Sequence, residues 1–138
     1  METNKVIISD LLLKEVIEHA RIHLPYESCG LLAGTNNKIC SFWKLENEVK
    51  SENRFFVQKK VVEKTLNKIE ERSECVIAIY HSHPTTSAIP SSYDIFSHPD
   101  QEVKMVIVSF KLEIPKIKCY NILKSTYFEC PIVIETLS

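Results

Sequence analysis

Cys75-Val76-Ile77-Ala78-Ile79-Tyr80 is an unbroken apolar run, and it ends on His81-Ser82-His83-Pro84. A strand that loses both faces to a core has this pattern, whereas a half-exposed strand alternates apolar with polar residues. Such a strand needs a layer above it and a layer below, and the flanking sequence supplies helices for both. Leu13, Val16, Ile17, Ala20 and Leu24 recur at helical spacing after Asp10, a residue suited to capping, until Pro25 ends the pattern. Val61, Val62, Thr65, Leu66 and Ile69 do the same between Gln58 and Arg72, leaving Lys59, Lys60, Lys64, Lys68, Glu70 and Glu71 to the solvent side.

Further out, Lys5 to Ile8 predicts a short strand. Cys29 to Ala33 and Ile39 to Leu45 predict a hairpin around Gly34-Thr35-Asn36-Asn37, residues that suit a turn with a positive φ. Val103 to Phe110 repeats the buried-strand pattern, and Ile117 to Leu123 and Phe128 to Ile134 predict two more strands. The expected class is therefore α/β (α+β), a central mixed β-sheet flanked by helices, in a single domain spanning residues 1–138.

Composition narrows the functional classes. With 44% hydrophobic and 25% charged residues the chain is expected to bury a core rather than stay disordered. Its 17 basic and 18 acidic residues give a net charge of -1 with no basic run, so neither nucleic acid nor another polyanion is an expected partner. Only three consecutive apolar residues, Val6 to Ile8, stand near the start, and nothing approaches the ~18 that a membrane helix needs. No membrane association is expected, and the cytoplasm is the expected compartment. The five cysteines, at 29, 40, 75, 119 and 130, are odd in number and never spaced C-x-x-C, which favours reduced, mostly buried thiols over a disulfide framework or a zinc knuckle.

The chemistry gathers at the end of the apolar run. Residues i and i+2 of a strand project to the same face, so His81 and His83 can converge on one point. Pro90-Ser91-Ser92-Tyr93-Asp94 suits a turn and a helix start, with Ser91 as N-cap, and it folds Asp94 back toward the strand end. Two His and one Asp are ligand types that zinc accepts, and with no fourth His or Cys at a ligand-like spacing a position stays open for water. An H-x-H pair by itself also arises in surface or core histidines. His19 and His23 lie four apart on the first helix without the glutamate of an H-E-x-x-H site, and a surface or core role is expected for them. His98 is expected at a helix end, and Trp43 and Tyr80 as packing residues.

Taken whole, H-S-H-P-(five residues)-P-S-x-x-D from His81 to Asp94 resembles the JAMM motif of the MPN domain family, zinc metallopeptidases that include deubiquitinases and small stand-alone prokaryotic members. Glu27-Ser28-Cys29-Gly30-Leu31-Leu32-Ala33-Gly34 is similar to the segment in which that family carries its catalytic glutamate, and Asn53-Arg54-Phe55-Phe56-Val57 is similar to its linker strand. The resemblance implies an MPN/JAMM fold, of an architecture related to the cytidine deaminases. It implies one catalytic Zn2+ held by His81, His83 and Asp94, with Glu27 as general base and Ser91 as hydrogen-bond donor to the developing oxyanion. It further implies hydrolysis of peptide or isopeptide bonds at the C-terminal Gly-Gly tail of a ubiquitin-like or sulfur-carrier protein. A deubiquitinase-like or general metallopeptidase, and a non-catalytic MPN scaffold, are the alternatives. A zinc deaminase would need H-x-E with P-C-x-x-C, which is absent. One position departs from the family: Ala78 stands where it usually has Gly.

Overall fold

The computed structural model describes residues 4–137. Along the chain lie β1 (Val6–Ser9), α1 (Asp10–Ile22), β2 (Cys29–Thr35), β3 (Lys38–Leu45), α2 (Lys59–Glu71), β4 (Cys75–His83), α3 (Ser92–Ser97), β5 (Lys104–Ser109), β6 (Lys116–Leu123), β7 (Thr126–Cys130) and β8 (Ile132–Glu135). They form one eight-stranded sheet in the order β7-β6-β5-β4-β2-β3-β1-β8. β4 is central, antiparallel to β2 and parallel to β5. The sheet is mixed, as expected.

Alternate residues of the central strands enter different cores. Leu32, Ala78, Tyr80, Val106 and Val108 pack with Leu13, Val16 and Ala20 of α1. Cys29, Leu31 and Ala33 pack with Ile69 of α2 on the other face, and Met105 and Ile107 pack there against Ile95 of α3. Ala78 belongs to the α1 face, so its methyl fills core space away from the paired histidines. α2 docks through one end: Ile69 is buried, while Val61 and Leu66 stay about two-fifths exposed at 40% and 41%. The helix-period apolar stripe therefore covers less sheet than its sequence suggests. Ser9, rather than Asp10, caps α1, its side chain accepting the Leu12 N–H at 3.1 Å.

The Phe128–Ile134 stretch is two strands, parted at Pro131, which lacks the N–H a ladder requires. β7 extends one edge of the sheet beside β6 and β8 the opposite edge beside β1, so the sheet curls until its two edges meet in one stretch of chain. The Val6 N–H donates to the Pro131 carbonyl at 3.0 Å across that seam. In the β2–β3 hairpin the positive φ falls on Asn36 at 55°. Gly34 serves a close approach instead, since a Cβ there would lie 1.9 Å from the Lys38 carbonyl oxygen at the bulge. Among the described residues no helix is long and apolar enough to cross a membrane.

Candidate metal centre

β4 carries its apolar run straight into the histidines, and the pleat sends His81 and His83 to the face shared with α2 and α3. α3 begins at Ser91, whose hydroxyl accepts the Asp94 N–H at 3.0 Å while Asp94 Oδ2 accepts the Ser91 N–H at 3.0 Å. This reciprocal cap fixes the Asp94 side chain toward β4. Three donor atoms meet as a result: His81 Nε2 and His83 Nε2 are 3.1 Å apart, and Asp94 Oδ2 lies 3.1 Å from the first and 3.0 Å from the second. All three residues are buried.

His83 Nδ1 lies 2.8 Å from the Ser87 carbonyl oxygen, which can only accept, so the proton sits on Nδ1 and the Nε2 lone pair faces outward. At 3.0 Å that lone pair confronts an oxygen of Asp94, a contact that is repulsive unless a proton or a cation stands between them. Ligand atoms around a tetrahedral zinc with bonds of ~2.0–2.1 Å are separated by roughly 3.3 Å, close to this triangle. Two imidazoles and one carboxylate thus fit a zinc ion in both donor type and spacing. Burial lowers the His81 pKa and would raise that of Asp94, but the hydrogen bonds from His81 and the Ser91 N–H outweigh burial and hold Asp94 well below the usual carboxylate range. His81 is thereby held toward its neutral form and Asp94 toward its ionised one, the protonation states that metal binding requires.

Glu27 enters from the loop after α1. Cys29 pairs with His81, and the Ser82 N–H reaches the Ser28 carbonyl at 3.0 Å, which continues the register and sets Glu27 opposite His83 on the same face. The residue is 2% exposed, and among the described residues Oε1 has no partner. Burial, followed by the Asp94 charge, pushes the Glu27 pKa up to about 9. Ser91 is exposed at the same mouth; its oxygen is engaged by the cap, which leaves its own O–H free to donate outward.

Two residues of this site escaped sequence reasoning. Asn47 is buried, and its Nδ2 donates to the carbonyls of Glu27 at 2.9 Å and Arg54 at 3.0 Å, while Oδ1 accepts the Val49 and Phe56 N–H groups. This one amide clamps the loop after β3 against the segment carrying Glu27. Phe55 on that loop stacks on His81 with ring centroids 5.2 Å apart. Nothing in their spacing marks either residue, because both act across long sequence separations. Together with Tyr93, Phe55 and Phe56 line an apolar cleft of about 290 Å³ that opens onto His81 and Asp94.

Behind β4 lies a second polar cluster. The Ser82 hydroxyl accepts from the Ser28 N–H at 2.8 Å and the Ser28 hydroxyl at 3.0 Å; Ser28 meets the Tyr80 hydroxyl, and His19 Nδ1 lies 3.2 Å from the Tyr80 oxygen. Tyr80 is thus a hydrogen-bonded core residue, and His19 is its partner. His98 closes the end of α3 by donating to the Val103 carbonyl at 2.6 Å.

Residues 10–122 match the family model described as prokaryotic homologs of the JAB domain. The CysO-cysteine peptidase of Mycobacterium tuberculosis is 30% identical over 106 residues, which cover 75% of this chain and 72% of that protein. A protein of known structure from Desulfitobacterium hafniense superposes with a TM-score of 0.86 at 25% identity, over 96% of this chain and 94% of its own. A structure described as "JAMM: A Metalloprotease-like Zinc Site in the Proteasome and Signalosome" gives 0.55 at 25% identity, over 95% of this chain and 99% of its own.

Proposed function

Because the chain belongs to the prokaryotic homologs of the JAB domain and is a peptidase-like hydrolase, we propose that it is a zinc-dependent enzyme cutting a peptide or isopeptide bond after the Gly-Gly tail of a sulfur-carrier protein. One observation carries this reading. Three metal-type donor atoms converge within 3.1 Å on the strand face that also holds Glu27, a buried carboxyl with an unpartnered oxygen.

His81, His83 and Asp94 hold the ion. When bound, zinc supplies Lewis acidity, lowering the pKa of water from 15.7 toward ~7 and polarising a carbonyl. With a cation beside it favouring the carboxylate over the burial that raises its pKa, Glu27 would take a proton from the attacking water and return it to the leaving amine, a role in which Oε1 has no competing hydrogen bond to break. The free O–H of Ser91 donates to the carbonyl oxygen as negative charge builds there. Asn47 and Ser28 keep Glu27 in register with β4. A Gly-Gly tail suits this mouth because it lets a backbone approach recessed ligands without side chains. The name of the mycobacterial relative points to the same class of substrate.

Incubation of the zinc-loaded protein with a sulfur-carrier protein ending in Gly-Gly-Cys, followed by mass spectrometry, tests the reading. The expected product is the carrier ending at Gly-Gly together with free cysteine, and a chelator should suppress it. Free cleavage of unstructured peptides with the carrier left intact would replace this reading with a general metallopeptidase. Cleavage of ubiquitin conjugates in preference to the carrier would favour a deubiquitinase, and no cleavage at all a scaffold.

A further inference from the structure

We propose that Arg54 binds the carboxylate of the leaving residue and makes the site selective for releasing a single C-terminal amino acid. The inference rests on the assignment of the site as an amide hydrolase. Arg54 is placed by three contacts. Its carbonyl accepts from Asn47 Nδ2 at 3.0 Å, the same amide that holds the Glu27 carbonyl, so the backbone at 54 is fixed relative to Glu27. Its neighbour Phe55 stacks on His81. Its guanidinium carbon lies 4.7 Å from the ring centroid of Tyr93, the residue before Asp94. The guanidinium therefore lies on the neighbour of Asp94, the backbone that carries it is fixed beside Phe55, and the Phe55 and Tyr93 rings both line the cleft that opens onto His81 and Asp94.

The other two arginines each have a carboxylate within 4.0 Å: Glu18 beside Arg21 and Glu74 beside Arg72. Among the described residues the Arg54 guanidinium has neither an ion pair nor a hydrogen bond. A ring face holds a guanidinium without using its N–H groups, so the planar fork stays available for the bidentate grip that a carboxylate accepts. Hydrolysis breaks the C–N bond, forms a C–O bond to the water oxygen and sends a water proton to the leaving amine. The carboxylate of a C-terminal residue is unchanged by this and sits two bonds beyond the scissile nitrogen. Only removal of a terminal residue brings such a group to the mouth; a lysine side chain of a folded protein does not.

Two substrates decide the matter: the carrier ending in Gly-Gly-Cys as free acid and the same protein as C-terminal amide. For the wild type, kcat/KM for the acid should exceed that for the amide about tenfold or more, the range of a charge-assisted contact. Arg54→Ala should bring the ratio near one and Arg54→Lys should retain part of it. A merely structural role for Arg54 would lower both substrates together and preserve the ratio, which would overturn the proposal. Calorimetric binding of both carriers to zinc-loaded Glu27→Gln protein gives a second readout that needs no turnover, with the same acid preference expected. Equal affinity and equal rates for acid and amide in the wild type would also overturn it, even where the carrier is cut. If the carrier is neither bound nor cut, but short Gly-Gly-Cys peptides show an Arg54-dependent acid preference, the sulfur-carrier reading fails and this inference stands.

Discussion

β4 buries polar side chains on both faces, and the two faces treat them in opposite ways. Toward α1, Tyr80 and Ser82 join His19 and Ser28 in a chain of hydrogen bonds. Toward α2 and α3, Glu27 Oε1 has no partner among the described residues, and a His83 lone pair is turned on a carboxylate oxygen. A buried polar group without a partner costs about 1–3 kcal/mol. One strand thus shows the difference between polar groups that hold a fold together and polar groups reserved for something that arrives later. The satisfied face fixes the register of Ser28 against β4, and the neighbouring Glu27 is positioned by it.

Removing a ligand should produce the largest effect and leave the α1 face intact. His81→Ala, His83→Ala and Asp94→Ala are each expected to lose most bound zinc on dialysis and to reduce hydrolysis to background, with far-ultraviolet circular dichroism unchanged. Equal zinc content in all three variants and the wild type would break the comparison at its centre. Glu27→Gln should separate chemistry from binding on the same face. It preserves size and removes basicity, so zinc content should hold while kcat falls by ~10² or more. A wild-type rate would reduce Glu27 to an ordinary buried acid, and loss of zinc would make it a ligand.

The other face is expected to answer in stability. Tyr80→Phe removes the hydroxyl shared by Ser28 and His19, leaving Ser28 with Ser82 alone and the buried His19 Nδ1 without its partner, for a cost of about 1–3 kcal/mol by urea unfolding. Zinc content should stay at the wild-type level. If Tyr80→Phe lost metal as His81→Ala does, the two faces would be one coupled unit.

The legible and the hidden parts of this molecule divide by sequence distance. The convergence of His81, His83 and Asp94 was legible because they are set by local rules: the strand period of two, and the Ser91 cap that returns Asp94 to its own turn. β4 itself was legible from its apolar run. The break at Pro131 was signalled by the proline, which lacks the N–H a ladder requires, but that the two halves of Phe128–Ile134 join opposite edges was hidden, because it depends on the closure of the curled sheet. Asn47 was hidden because its four hydrogen bonds tie backbone groups from two loops. The stacking of Phe55 on His81 spans 26 positions of sequence. Val61 and Leu66 show the opposite error, a clear helical stripe that tertiary packing leaves about two-fifths uncovered.

The smallest effect, a pH dependence, tests whether the satisfied face is closed at its far end. Burial, then the positive charges of His23 and Lys44, lower the His19 pKa from 6.5 to about 4. Below pH 6.5 the unfolded chain takes up a proton at this position that the folded chain refuses until about pH 4. The stability His19 contributes is therefore fully present above pH 6.5, is lost as pH falls from 6.5 toward 4, and changes no further below that. Within that window the slope attributable to His19 approaches one proton, about 1.4 kcal/mol per pH unit. Because other groups contribute to any acid-side stability curve, the informative quantity is the difference between wild type and His19→Gln, both freed of metal by chelation and unfolded in urea from pH 7.5 to 4.5. The variant keeps a donor that can reach the Tyr80 oxygen but has no titrating ring, so its curve should be the flatter by up to one proton. Parallel curves would mean that His19 charges freely in the folded protein. The chain through Tyr80 and Ser28 would then end in solvent, and the contrast between the two faces of β4 would rest on Ser28 and Ser82 alone.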